Sequence, residues 1–183
     1  MSIQRNPAPD VERTSGINIT RNSESGKGES IEICSFTVAG SVFALPIRHI
    51  VEIVGKVHPQ PVPLSPFFIA GLVYYRGNVL TALSLRRLLD VKDCEGPHEL
   101  LVLECIHGSF GLLVDSVEDL LVVSSADYEA IPGNSDGRFL GILDTQRMRI
   151  RGLFAGSYKQ GERLLITLNT DELDPMRLAE TFA

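Results

Sequence analysis

The sequence predicts a mainly-β chain built as two similar small barrels in series, and three observations predict it. Short apolar runs recur from Ile31 onward, punctuated by Gly and Pro turns, the signature of a sandwich or barrel. Only Leu85–Leu89 and Asp174–Phe182 carry a helical pattern. The third observation is an internal repeat without gaps. Phe43-Ala-Leu-Pro-Ile-Arg-His-Ile-Val-Glu-Ile-Val54 aligns on Phe110-Gly-Leu-Leu-Val-Asp-Ser-Val-Glu-Asp-Leu-Leu121, each copy preceded by a Gly-Ser turn. Ile69-Ala-Gly-Leu-Val73 likewise resembles Ile150-Arg-Gly-Leu-Phe154. Two halves of this size need a shared apolar interface, because neither buries enough surface alone.

The elements follow in order. Ile31–Val38 alternates apolar and polar residues, a half-buried strand. Ala39-Gly40-Ser41 turns the chain, and Val42–Ile47 returns with Pro46 at a strand end or edge, since proline cannot donate to a ladder. Arg48–Val54 fits a short helix or, by its β-branched run, a strand. Further apolar runs lie at Gly71–Tyr75, Val79–Leu85, Leu100–Ile106, Phe110–Val114, Leu120–Val123, Arg147–Phe154 and Leu164–Leu168. Residues 1–30 contain no aromatic side chain and balance four basic against four acidic groups. Such a stretch cannot offset its ordering entropy by burial and reads as a disordered tail, leaving residues 31–183 as the folded part.

Composition excludes several functions. Seventeen basic and twenty-three acidic side chains give a net charge of −6, the wrong sign for a nucleic-acid binder. No apolar run approaches the ~20 residues of a membrane helix, and the N-terminus lacks the apolar core of a secretory signal. Cys34, Cys94 and Cys105 show no Cys-x-x-Cys spacing and read as reduced cytoplasmic thiols. Cys94, between Asp93 and Glu95, is expected to disfavour its thiolate and to be a poor redox sensor.

Catalytic patterns are weak. Gly133-Asn-Ser135-Asp-Gly137 fits the spacing of a nucleophile elbow, but Ile131-Pro132 precedes it and no histidine follows His107. It reads as a turn. His49, His58, His98 and His107 have no metal-ligand spacing, and no phosphate-cradling glycine loop is present. Arg147, Arg149 and Arg151 alternate along one expected strand face, either solvated or facing an acidic partner. Tyr74-Tyr75-Arg76-Gly77-Asn78 reads as a tight turn, with Gly77 free to take positive φ, and it displays Arg76.

Leu45-Pro-Ile-Arg-His-Ile-Val-Glu-Ile53, Val62-Pro-Leu-Ser-Pro-Phe-Phe-Ile-Ala-Gly-Leu72, Arg76-Gly77, Gly111–Leu120 and Gly161–Leu168 together resemble the CheW adaptor family of bacterial chemotaxis, in order over residues 31–173. The resemblance implies two five-stranded SH3-like barrels sharing a hydrophobic core, with a short C-terminal helix. It implies a non-catalytic cytoplasmic adaptor, without cofactor or metal, coupling the cytoplasmic tip of a chemoreceptor to the regulatory domain of a CheA-type histidine kinase. Receptor contact is then expected near Ile50, Glu52 and Ile53, with Arg76 and Gly77 opposite, and Glu52 paired to Arg76. Kinase contact is expected at exposed apolar barrel ends. The chain departs from the family where Asn-Leu-Arg-Gly becomes Tyr74-Tyr75-Arg76-Gly77 and Ile-Asp-Leu-Arg becomes Leu83-Ser84-Leu85-Arg86. Residues 133–148 also run longer than usual. A small-ligand sensor using the cleft between the barrels is the alternative from another class.

Overall fold

The computed structural model describes residues 29–94, 96–130 and 152–183. The tail over residues 1–28, the Ser135 turn and the Arg147–Arg151 alternation lie outside the described residues. Eleven strands are described: β1 Ser30–Val38, β2 Ser41–Pro46, β3 Ile50–Val57, β4 Ile69–Tyr75, β5 Asn78–Ser84, β6 His98–Cys105, β7 Gly108–Val114, β8 Ser116–Ser124, β9 Tyr128–Ala130, β10 Phe154–Gln160 and β11 Arg163–Leu168. Helix α1 spans Leu85–Leu88 and α2 spans Pro175–Phe182. The ambiguous Arg48–Val54 segment resolves into a single 3-10 turn, Ile47–His49, followed by β3. Its β-branched side chains fit a pleated, half-buried surface. Strand β1 starts at Ser30 and the Glu29 carbonyl accepts a hydrogen bond from the Ser125 N–H, so Glu29 and Ser30, counted with the tail from the sequence, take part in the fold.

The strands form two sheets that exchange elements. One has the order β8-β1-β2-β11-β10-β9, the other β3-β6-β7-β5-β4. The expected five strands hold for the second sheet, while β9 makes the first six-stranded. In each sheet a hairpin, β1–β2 or β6–β7, sits beside a strand supplied by the other half of the chain. After β2 the chain crosses over so that β3 pairs with β6, and after β7 it crosses back so that β8 pairs with β1. The Phe43/Phe110 repeat is therefore structural: both phenylalanines lie in the shared core, on β2 and β7. The strands that carry them meet β11 and β5 in parallel, through Ala44 against Thr167 and Gly111 against Ala82.

The second repeat shifts to a different partner. Ile69-Ala70-Gly71 corresponds to Phe154-Ala155-Gly156, because both segments carry a register shift just before the glycine. The equivalence extends through the following hairpins, whose turns close between Tyr75 and Asn78 and between Gln160 and Arg163. It reaches the ends of β5 and β11, where the Ser84 N–H donates to the Phe68 carbonyl and the Asn169 N–H to the Leu153 carbonyl. Sequence similarity alone chose Ile150 because Gly152 also follows an apolar residue by two positions.

Period-2 alternation divides the side chains between three cores. On β6, Leu101 and Leu103 enter the cluster common to both sheets, while Leu100 and Val102 enter the second sheet's own cluster. All four are fully buried. On β1, Phe36 and Cys34 enter the common core and Ile33 the first sheet's own. Helix α2 adds Leu178 to the common core and packs Phe182 against Phe67 and Phe68, with ring centroids 4.9 and 5.7 Å apart. Asp174 caps it, accepting from the Met176 N–H, with Pro175 at the first helical position.

Candidate functional site

Strand β3 is an edge of its sheet, and β4 is the opposite edge. The sheet is not closed by β3–β4 pairing; side-chain contacts and the chain after β3 span the gap between its edges. The segment after β3 bridges to β4 through Gln60 and Leu72, whose backbones exchange two hydrogen bonds of 2.8 Å. At the other end of β4, the β4–β5 turn folds over Glu52 of β3. The Tyr75 hydroxyl donates to Glu52 Oε2, and Arg76 Nη2 lies 2.7 Å from the same oxygen. The Arg76 guanidinium also sits 5.4 Å from the centre of the Tyr75 ring, within cation–π range. The bond to Glu52, the largest influence, pushes the Tyr75 phenol pKa up.

The turn is a two-residue hairpin with positive φ at both central positions, +45° at Arg76 and +85° at Gly77. That geometry favours Asn, Asp or Gly at the first position and matches the right-handed twist of the strands. Gly77 takes it freely. Arg76 does so at a cost of about 1–2 kcal/mol, while its side chain remains 70% exposed. The expected Glu52–Arg76 pair is present, and the Tyr75 departure completes it: a leucine there has no hydroxyl to give Glu52.

Ile50 and Ile53 are half-buried against the common core, and Val51, which follows Ile50, is exposed. Opposite them on β6 lie Leu103 and Leu101. Ile50, Glu52 and Ile53 thus line the β3 edge of the second sheet, and the β4–β5 turn carrying Arg76 and Gly77 reaches across to it at Glu52. Around it lies exposed apolar surface: Leu72, Tyr74 and Val79 on the β4–β5 hairpin, with Tyr74 and Val79 directly paired across the strands.

The second departure, Ser84, caps α1 by accepting from the Arg87 N–H at 3.2 Å. That cap aims Arg86 at Asp115, on the crossover from β7 to β8. Arg86 Nε and Nη2 bind Asp115 Oδ1 and Oδ2 at 2.7 and 2.6 Å, and Oδ2 also accepts from the Ala39 N–H at 2.8 Å. Burial alone would raise the Asp115 pKa; the Arg86 and Ala39 hydrogen bonds hold it below the usual carboxylate range. This fork fixes the crossover to the β1–β2 turn.

The thiols differ from one another. Cys34 is fully buried, and burial, followed by the nearby Glu99 charge, pushes its pKa up to about 11. Burial likewise raises Cys105. Cys94 is exposed, and its surroundings differ from those expected: Asp93 is taken up by Arg87 at 2.7 Å, and the sulfur faces His98. Sequence reasoning missed this pairing because Cys94 and His98 gain their third neighbour, Asp115, only through the fold. A cavity of about 410 Å³ opens against the first sheet, lined by Pro46, His49, Tyr128, Tyr158, Thr167 and Asp171 among others. It lies at the end of that sheet's own core and does not reach Glu52 or Arg76. Among the described residues no helix is long and apolar enough to cross a membrane.

Comparison with known proteins agrees with this geometry. The CheW-like domain family matches residues 32–174. The chemotaxis protein CheW of Rhizobium meliloti (strain 1021) is 30% identical over 126 residues, covering 68% of this chain and 77% of that protein. The chemotaxis protein CheW of Helicobacter pylori (strain ATCC 700392 / 26695) is 25% identical over 148 residues, covering 79% and 82%. The fold is that of the scaffolding protein TtCheW from Thermoanaerobacter tengcongensis, at a TM-score of 0.67 and 20% identity over 80% of this chain and 94% of that one. Exchanged sheets, a repeated hairpin plan and a family match across most of the chain lead to one conclusion: this protein belongs to the CheW-like family of chemotaxis proteins.

Proposed function

We propose that this chain is a non-catalytic cytoplasmic adaptor that couples the cytoplasmic tip of a chemoreceptor to a CheA-type histidine kinase. The observation that carries the reading is Arg76, exposed in a left-handed turn that disfavours it and clamped there by Glu52 and Tyr75. A strained, exposed and rigidly held cation serves recognition better than folding. The receptor would meet Ile50, Glu52 and Ile53 along the β3 edge and Arg76 and Gly77 on the turn folded over it, where polar, charged and half-buried apolar groups adjoin. The kinase's regulatory domain would meet exposed apolar surface of the kind formed by Leu72, Tyr74 and Val79. Co-purification with a receptor tip and with a kinase regulatory domain tests the reading. Formation of a ternary complex supports it, and mutual exclusion of the two partners rejects it.

A second reading, a small-ligand sensor, draws on the 410 Å³ cavity and on Thr167, a buried residue whose hydroxyl has no hydrogen-bond partner among the described residues. A small-molecule thermal-shift screen separates it from the adaptor: a ligand whose shift disappears in Thr167→Val would favour the sensor.

A further inference from the structure

We propose that Cys94, His98 and Asp115 form a binding site for a zinc-like divalent cation. Their donor atoms lie within 4.8 Å of one another, with Cys94 Sγ and His98 Nδ1 4.0 Å apart. Zinc bonds to sulfur, nitrogen and oxygen of about 2.0–2.3 Å set tetrahedral donor separations of roughly 3.3–3.6 Å. The cluster therefore needs only a small contraction, which the exposed Cys94 side chain can provide.

The surrounding groups prepare it. Arg86 Nη1 binds the Lys92 carbonyl at 2.6 Å and Arg87 Nε binds Asp93 Oδ2 at 2.7 Å, so both residues before Cys94 are held from α1. Asp115 is oriented from behind by the Arg86 fork and the Ala39 N–H. Counting acceptor positions, Arg86 uses one lone pair on each oxygen and Ala39 the second on Oδ2. One lone pair on Oδ1 remains for a metal. An oriented carboxylate with a hydrogen-bonded second oxygen is how protein metal ligands are usually supported. Arg86 also offsets the negative charge that a thiolate and a carboxylate bring together. Thiolate, imidazole and carboxylate suit zinc, and hard-oxygen cations such as magnesium or calcium do not. Solvent supplies the fourth position on the exposed side. The bound ion would clip the α1–β6 loop to the crossover joining the two sheets.

A second Cys-His-Asp group is instead paired within itself and with its own backbone. Asp174 is buried and already accepts from His107 and the Met176 N–H, and Cys105 donates to the Gly108 carbonyl. It serves as the internal control.

The test is titration of the full chain, reduced and metal-free, with Co²⁺ and Zn²⁺. The expected result is one Co²⁺ per chain with a thiolate-to-cobalt charge-transfer band, bleached by Zn²⁺. The band should vanish in Cys94→Ser, weaken in affinity in His98→Gln and persist in Cys105→Ser. Zinc should raise the unfolding temperature of the wild type and leave Cys94→Ser unmoved. Absence of the band, its survival in Cys94→Ser, or unchanged affinity in His98→Gln overturns the proposal. Cys94 and His98 both lie near the surface, so these variants keep the fold.

Discussion

Gly71 and Gly156 occupy the same position in the two halves of the molecule. Each follows a register shift, on β4 and β10, and each lies hard against the strand or bridge beside it. A Cβ on Gly71 would stand 2.3 Å from the Gln60 carbonyl oxygen, and one on Gly156 would stand 2.5 Å from that of Glu129. Gly71 also has φ of +152°. Both glycines admit a close backbone approach, of the Gln60 bridge to β4 and of β9 to β10.

Gly71→Ala and Gly156→Ala should each destabilise the fold, by about 1–3 kcal/mol as overpacking against rigid backbone does. Urea midpoints at constant m-value measure this. A neutral Gly71→Ala would show that the Gln60–Leu72 bridge does not constrain the sheet.

Arg76→Asn should separate stability from binding. Asparagine suits the left-handed turn, so stability should hold or rise by up to about 1 kcal/mol despite the lost ion pair, which is worth only about 0–1 kcal/mol when exposed. Receptor-tip binding should weaken. Tyr75→Phe should weaken it less, because Arg76 retains Glu52. Undiminished binding in Arg76→Asn removes Arg76 from the receptor surface.

Unfolding should occur in one cooperative step. Phe36 and Phe43 of the first sheet share a core with Leu101, Leu103, Phe110 and Leu112 of the second. Phe36→Ala should cost about 3–5 kcal/mol and lower the stability of both sheets together. Calorimetric and van't Hoff enthalpies should agree; two resolved transitions would contradict the shared core.

Acid should loosen the C-terminal helix through Asp174. Burial alone would raise its pKa, but hydrogen bonds from His107 and the Met176 N–H hold it below the usual carboxylate range. A depressed folded value makes its contribution complete above the unfolded pKa and loses it as pH falls through the folded one, below about pH 5. Asp174→Asn keeps the cap and should flatten that part of the stability profile. An acid slope identical to wild type would assign the effect to other carboxylates.

Deleting residues 1–28 should leave cooperative unfolding intact, since β1 begins at Ser30 and the Ser125 N–H reaches only to Glu29. Deletion through residue 30 should cost more, by removing the Glu29 hydrogen bond and the first β1 pair.

Alternation and turn chemistry made most strands legible, because a half-buried strand must alternate and a tight turn needs Gly. The sequence by itself determined the mainly-β class, the Phe43/Phe110 repeat and the exposed Arg76-Gly77 turn. It missed β9 and most of β10, where Tyr128-Glu-Ala130 is too short for a period and Ala155-Gly156-Ser157 is small enough to resemble loop. It also misaligned Gly156, since similar tripeptides differ only in which carbonyl packs against them. Tertiary structure alone decided the exchange of β3 and β8 between sheets, because identical local patterns allow pairing with either hairpin. It alone brought Tyr75 to Glu52 and Asp115 to Cys94 and His98. Those contacts join residues distant in sequence, and the curl of a sheet, which no local pattern encodes, sets their distances.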